Sequence, residues 1–251
     1  MARMILLGVG TAVPDEQRGH THMVWDGPGG PMLIDAGGST YQRLLQAGID
    51  PRTLTAIILT HSHADHINGL PALLFSMSLA GRGEPIPIYA LPETISVTAR
   101  VLDAFGLEKY MVQPEWRPVS AHEELPLGAG WLLKTAPTLH TRPCFALRFS
   151  DVTGTHVLTY SADTAPYAPV QHLAHGSRIL IHEATEHEPT TYHTTPREAG
   201  QVAQRAGAKR LILVHYSPHW TMPEADALAE VRAGGFTGIA EIGREQQVIE
   251  V

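Results

Sequence analysis

The architecture this sequence predicts is α/β: two mixed sheets packed together with helices outside. Short, β-rich apolar runs recur along the whole chain, helical stretches separate many of them, and three runs end on a histidine or an aspartate. The strand candidates are RMILLGV, HMVWDG, PMLIDAG, LTAIILT, IPIYA, GWLLKTA, CFALRFS, HVLTYSA, RILIHEA, RLILVHY, IAEIG and QQVIEV. Helices are expected at 40–47, about 69–80, 93–105, 195–206 and 223–233, with Gly48, Gly81, Gly106 and Gly207 where a C-cap glycine belongs. The first third reads as a strand meander, and the later part alternates strand with helix. No repeat, low-complexity run or linker interrupts the pattern, so residues 1–251 are expected to form a single domain.

Composition narrows the function. With 43% hydrophobic and 17% charged residues, the chain suits a globular protein with a sizeable core. One cysteine, Cys144, excludes an internal disulfide framework and any multi-cysteine metal site. The N-terminal MARMILLGVG has a short apolar run, but Gly8, Gly10 and Pro14 fit a strand and turn better than a signal peptide. No segment approaches the length of a membrane span. A cytoplasmic protein is the expectation. The formal charge of −7 and the three lysines, Lys109, Lys134 and Lys209, weigh against a large polyanionic partner, whose binding draws on a basic surface. The 15 histidines point instead to metal ligation or acid–base chemistry.

Those histidines concentrate in LTHSHADHINGL, residues 59–70, directly after the apolar run LTAIIL. His61 and His63, one residue apart in an extended loop, point the same way and can share a metal ion. Asp65 and His66 turn away and can serve a second. Pro71 sits where the first turn of a helix tolerates proline. Nitrogen and oxygen ligands suit zinc, and also manganese or iron. LTAIILT runs into His61, HVLTYSA into Asp163 and RLILV into His215, and the carboxyl ends of strands are where α/β sheets gather ligands. Other histidines carry less. His20 and His22 repeat the H-x-H spacing without a following Asp-His pair and belong on a loop near the site. His182 faces away from Glu183 across its strand. His122, His156, His172, His175 and His187 read as surface or packing residues.

THSHADH resembles the signature of the metallo-β-lactamase fold hydrolases, and the resemblance extends over essentially the whole chain, implying an αββα sandwich. LIDAGGST is similar to the family's strand with a supporting aspartate, here Asp35. LLGVGTAVPDEQRG, HINGLPALL, YSADT, IHEAT and YHTTPREAGQVAQRAGAKRLILVHYSPHW resemble the ribonuclease Z-like and phosphodiesterase group. The resemblance implies two divalent metal ions, zinc foremost. His61, His63 and His140 would hold the first, Asp65, His66 and His215 the second, and Asp163 would bridge them. Two ions sharing a water lower its pKa and create a hydroxide nucleophile, so hydrolysis is implied. Asp65, Glu183 and His193 make up the implied catalytic set, with Glu183 orienting His193 as the acid that protonates the leaving group. The residues alone leave other roles open: His140 as a structural loop histidine, Asp163 as an Asx turn, and Glu183 with His193 as a structural pair before the Thr194–Thr195 helix cap.

Two departures set the expected substrate. His219 stands where the group usually has an arginine. Only 22 residues (141 to 162) separate His140 from Asp163, and two strands and the turn DVTG consume them, leaving no room for the arm with which ribonuclease Z grips tRNA. The leading expectation is therefore hydrolysis of small phosphodiesters, with a small-molecule ester as partner. Alternatives are a tRNA 3′-processing endonuclease, an arylsulfatase or lactonase on the same fold, and an inactive metal-binding scaffold. Related proteins often dimerise, which implies a homodimer, with Trp116 or Trp220 at the interface or in the cleft.

Overall fold

The computed structural model describes residues 2–216 and 222–251, so His219 and Trp220 lie outside the described residues. Strands β1 (Arg3–Gly8), β2 (His22–Gly27) and β3 (Gly30–Ile34) form an antiparallel meander. Strands β4 (Ala56–Leu59), β5 (Ile86–Ala90) and β6 (Pro114–Pro118) extend it in parallel from β3. Helices α1 (Thr40–Gln46), α2 (Ala64–Ile67), α3 (Leu70–Leu79) and α4 (Pro92–Phe105) fall between these parallel strands.

The second half repeats the plan. Strands β7 (Glu124–Gly128), β8 (Trp131–Pro137), β9 (Phe145–Asp151) and β10 (Val157–Tyr160) are antiparallel, and β11 (Ile179–Glu183), β12 (Arg210–Val214) and β13 (Ile239–Ile242) follow in parallel. Their connections carry α5 (Ala168–Leu173), α6 (Pro196–Ala206) and α7 (Glu224–Ala233). The last strand, β14 (Val248–Glu250), returns to the edge of the first sheet beside β1. Each sheet thus has seven strands among the described residues, in the orders β14-β1-β2-β3-β4-β5-β6 and β13-β12-β11-β10-β9-β8-β7.

Alternation along the strands decides the layering. Met4, Leu6, Met23, Trp25, Ile34 and Ile58 join the core between the sheets, while their neighbours Ile5, Leu7, Val24, Leu33 and Ile57 pack into a second cluster with Leu73, Leu74 and Met77 of α3. Both faces are covered, which is why β4 reads as an unbroken apolar run. Trp25 bridges the sheets, stacked on Phe149 at 4.6 Å and edge-on to Trp131 at 4.9 Å. Helix α6 starts with a capping box between Thr195 and Glu198, with Pro196 in its first turn, and ends at a left-handed Gly207. No helix among the described residues is long and apolar enough to cross a membrane.

Four elements depart from the sequence reading, among them α2, a single helical turn inside the stretch read as a loop. The strands β6 (PEWRP) and β7 (ELPLG) are the outer edges of their sheets, where proline is tolerated because one side of the strand needs no hydrogen-bond ladder. Helix α5 is a six-residue piece, too short for a periodic signal. The meander is also not confined to the first third: each half of the chain opens with antiparallel strands and closes with strand–helix alternation. Trp116 of β6 is half-buried against the helix-side cluster.

One close approach fixes the site's geometry. The 36–38 loop lies directly on the backbone of the histidine-rich loop: Ala36 N–H donates to the His66 carbonyl (2.8 Å) and Gly69 N–H to the Ala36 carbonyl (2.8 Å). A Cβ on Gly37 would stand 2.1 Å from the Asp65 carbonyl oxygen. Gly37→Ala is therefore expected to push the two loops apart and cost about 1–3 kcal/mol of stability. Urea denaturation checks this, the expected outcome being a lower midpoint with an unchanged slope.

Candidate metal centre

Strands from both sheets end at one place. Beyond β4 come Thr60 and His61; beyond β10, Asp163; beyond β12, His215; and β11 itself ends in Glu183. Three residues at such ends, Asp35, Ala162 and His215, have left-handed φ of 59°, 50° and 56°. Each costs on the order of 1–3 kcal/mol for a side chain larger than glycine's, a strain that surrounding structure must hold. These turns re-aim the chain sharply after a straight strand.

The side chains converge as two adjoining clusters, and Asp163 and His215 also group with His193. His61 Nε2 lies 3.1 Å from His63 Nδ1, which lies 3.0 Å from His140 Nε2. The buried Asp65, His66 and His215 form the second group, with Asp65 Oδ2 3.4 Å from His66 Nε2 and 3.5 Å from His215 Nε2. One atom belongs to both. Asp163 Oδ2 stands 3.7 and 3.8 Å from the nitrogens of His61 and His140, and 3.6 and 3.3 Å from those of His66 and His215.

Whether these groups suit a cation is decided by what lies behind them. Every imidazole has its outer nitrogen against an oxygen. His61 Nδ1 meets Thr60 Oγ1 (3.1 Å), His63 Nε2 meets Thr141 Oγ1 (3.2 Å), and His66 Nδ1 meets Asp35 Oδ2 (2.8 Å). His140 Nδ1 faces the Tyr192 carbonyl (3.3 Å) and His215 Nδ1 faces Thr185 Oγ1 (2.8 Å). Donating outward fixes each neutral tautomer and leaves the inner nitrogen an unprotonated lone pair. Among the described residues, His66 Nε2, His215 Nε2 and Asp163 Oδ1 are buried without a hydrogen-bond partner. Burial opposes ionisation of Asp163, yet positive charge on the surrounding His215, His66 and His61 holds its carboxyl well below the usual range, and bound cations would supply that charge where the imidazoles are neutral. Unprotonated nitrogens and ionised oxygens converging on one buried space fit divalent metal ions.

Glu183 and His193 adjoin the clusters. Glu183 is fully buried, and its Oε1 accepts from His193 Nδ1 (2.9 Å) and Thr164 N (2.8 Å). Its Oε2 accepts from Thr185 Oγ1 (2.6 Å), Thr185 N (3.2 Å) and Thr194 N (3.2 Å). The His193 ring is 5.0 Å from that of His140 and 5.8 Å from that of His215, so it touches both clusters. Burial lowers its pKa, but the hydrogen bond and charge of Glu183 outweigh that and raise it to about 9.

A family profile described as "Beta-lactamase superfamily domain" matches residues 32–216, which contain every residue of both clusters. The chain belongs to the metallo-β-lactamase superfamily. Within it, the chain is 30% identical to a protein named ribonuclease Z from Methanothermobacter thermautotrophicus, over 96% of this chain and 95% of the relative. The fold matches that of the metallo-β-lactamase fold protein YhfI from Bacillus subtilis with a TM-score of 0.84 at 23% identity, covering 100% and 99% of the two chains. It also matches a diphosphatase of the PhnP family with a TM-score of 0.80 at 23% identity, covering 100% and 98%. As a member of this superfamily, the protein is a metal-dependent hydrolase of ester bonds.

The structure brings together His61, His63, Asp65, His66, His140, Asp163 and His215, with Glu183 and His193 beside them. His20 and His22 join neither cluster. His22 is buried with Nδ1 against the His20 carbonyl (2.8 Å), and burial pushes its pKa down to about 4. His182 is buried with its Nδ1 2.8 Å from the Glu183 carbonyl, apart from both groups. Sequence reasoning missed the threonines Thr60, Thr141 and Thr185. A threonine beside a motif histidine carries no signal until the fold shows which nitrogen it faces.

Deleting the Asp163 carboxylate withdraws one oxygen from four imidazoles. Asp163→Ala is expected to lower metal content at both clusters together, whereas His63→Ala should affect the first alone. Elemental analysis of the purified variants checks this, and full metal occupancy in Asp163→Ala would remove the shared role.

Proposed function

We propose that this protein is a binuclear hydrolase of small phosphodiesters. The observation that carries the reading is the position of Asp163 Oδ2 between two imidazole clusters, with His193 against both. In this reading His61, His63 and His140 would hold one ion, Asp65, His66 and His215 would hold the other, and Asp163 would serve both. Zinc is the first choice for this donor set, with manganese or iron as alternatives. When bound, such ions acidify water and neutralise charge on the oxygens of the attacked phosphorus.

The chain's own residues supply the rest. Asp35 holds His66 directly and His61 through Thr60, whose N–H and hydroxyl both donate to that carboxylate. These bonds fix the tautomers, aim the inner nitrogens and, at His66, raise the basicity of the ring. His193 carries its Nδ1 proton toward Glu183, leaving Nε2 to deliver a proton to the departing alkoxide oxygen. Access runs past the half-buried His63 and His193, with Leu139 and Tyr192 each 40% exposed nearby.

Substrate size follows from what the site lacks. Strands β9 and β10 are joined by a tight turn in which Asp151 N donates to the His156 carbonyl (3.1 Å), so residues 141–162 contribute no protruding arm. The alignment with the Methanothermobacter relative runs over 291 positions against 251 residues here, so that relative carries segments without a counterpart in this chain. Without a distant grip, remote binding energy from an RNA fold cannot be applied at the reacting centre. The second reading, a tRNA 3′-processing endonuclease, is favoured by the name ribonuclease Z on relatives that cover nearly the full chain.

His193→Ala is expected to lower turnover about 10²–10⁴-fold with metal content intact, more for an alkoxide leaving group than for nitrophenolate, which needs little protonation. Equal losses on both would reassign His193 to substrate positioning. Bis(p-nitrophenyl) phosphate is expected to exceed precursor tRNA in kcat/KM at about 0.1 M salt, where charge attraction is partly screened. Position-specific cleavage after the discriminator base, at the higher kcat/KM, would favour the endonuclease instead.

A further inference from the structure

The two halves of the site are supported by the same device, but it is wired differently in each. In the first half the buried Asp35 accepts from two imidazole systems, His66 directly and His61 through the Thr60 hydroxyl, and both imidazoles belong to the metal clusters. In the second half the buried Glu183 also serves two imidazoles, His193 directly and His215 through the Thr185 hydroxyl. Only His215 belongs to the buried group with Asp65 and His66. The other arm of the carboxylate ends on the proton donor.

Proton positions along this line are determined by the chemistry of each atom. His215 Nε2 faces Asp65 and Asp163, so a ligating imidazole must carry its proton on Nδ1 and donate it to Thr185 Oγ1 at 2.8 Å. The hydroxyl, having accepted, has one proton to give. Two acceptors lie in range, Glu183 Oε2 at 2.6 Å and the His215 carbonyl at 2.8 Å, and the charged, closer carboxylate takes it. The opposite oxygen of the same carboxylate receives the His193 Nδ1 proton at 2.9 Å. Thr185, Glu183 and His215 are all buried, so water does not substitute for a lost link.

We propose that Thr185 is a positioning residue that couples the metal ligand His215 to the proton donor His193 through Glu183. This rests on the reading of His215 as a ligand and His193 as the acid. Removing the hydroxyl leaves the His215 Nδ1 proton without an acceptor and deprives Glu183 of its closest donor. One change then weakens metal retention and misorients His193, although Thr185 touches neither metal nor substrate. A threonine with a merely structural role would not move both readouts.

The test uses zinc-loaded wild type, Thr185→Val, Thr185→Ala and Thr185→Ser. Chelator competition gives the two zinc dissociation constants, and steady-state kinetics are run on diesters with an alkoxide or a nitrophenolate leaving group. In Thr185→Val one zinc dissociation constant is expected to rise about 10–100-fold, the effect typical of losing a partner behind a ligating histidine. At saturating zinc, kcat should fall more for the alkoxide substrate, with KM little changed. Thr185→Ala, which puts no methyl against the carboxylate, should behave alike, and Thr185→Ser should restore both readouts. In a Glu183→Gln background the further loss of kcat on adding Thr185→Val should shrink, because both changes cut the same line. Two-zinc binding by wild type with Thr185→Val and Thr185→Ala unchanged in affinity, or fully additive losses with Glu183→Gln, overturns the coupling alone. Fewer than two zinc ions on wild type overturns the functional reading and the coupling with it.

Discussion

The Oδ2 atom of Asp163, with an imidazole nitrogen on each of four sides at 3.3–3.8 Å, sets the demand that the rest of the molecule meets. Lone pairs aimed at one another repel, and a buried carboxylate without full compensation is costly. The fold brings these groups together by ending strands of both sheets at one point and turning the chain through left-handed residues. The core between the sheets, centred on Trp25 against Phe149 and Trp131, supplies the rigidity that such strain requires. Bound cations would relieve the repulsion that the protein scaffold imposes, which would link binding energy to folding energy.

Behind the inner atoms, the two halves of the chain solve the same problem with different residues. Each half has a meander followed by parallel strands, and each places one buried carboxylate, Asp35 or Glu183, beyond or at the end of a strand. Each also interposes a threonine hydroxyl between that carboxylate and one imidazole. A hydroxyl can accept and donate at once, so it passes orientation from the carboxylate to a ring that the carboxylate does not reach. The first half spends both arms of its carboxylate on the clusters. The second keeps one for His193, and on the proposed function this asymmetry would separate a hydrolytic centre from a merely metal-binding one.

Much of this was legible in the sequence. His61, His63, Asp65 and His66 stood in a single motif after an apolar run. Asp163 and His215 followed strands that could be recognised by composition alone, and the glycines after α1, α3, α4 and α6 marked the helix ends, all with positive φ in the structure. Other features lay below what a linear reading detects. PEWRP and ELPLG look like loops because proline breaks a central ladder, and only their place at sheet edges makes them strands. His140 has no ligand in its own segment, so its partnership with His63 exists only across 77 positions of chain. Thr60 and Thr185 act through atoms whose direction depends on the turn that carries them.

Charge resolves the remaining tension between an acidic protein and an anionic ester. The formal charge of −7 is spread over a surface whose arginines are largely paired, as in Arg3–Asp26, Arg43–Glu245, Arg197–Glu230 and Arg244–Glu224. Such pairs do little at a distance, because exposed charges more than about 8–10 Å away are screened at ordinary ionic strength. At the centre the sign would reverse in the proposed reading: two divalent ions set against Asp65 and Asp163 would leave an excess of about two positive charges in a buried setting. Such a field would be strong and short. It would favour a single phosphodiester group brought to within a few ångströms over the successive phosphates of a polymer, each of which needs its own cation along the surface. On the proposed function, the charge distribution that disfavours polyanions would leave a small diester free to bind, and selectivity for size would arise from how far the positive potential reaches.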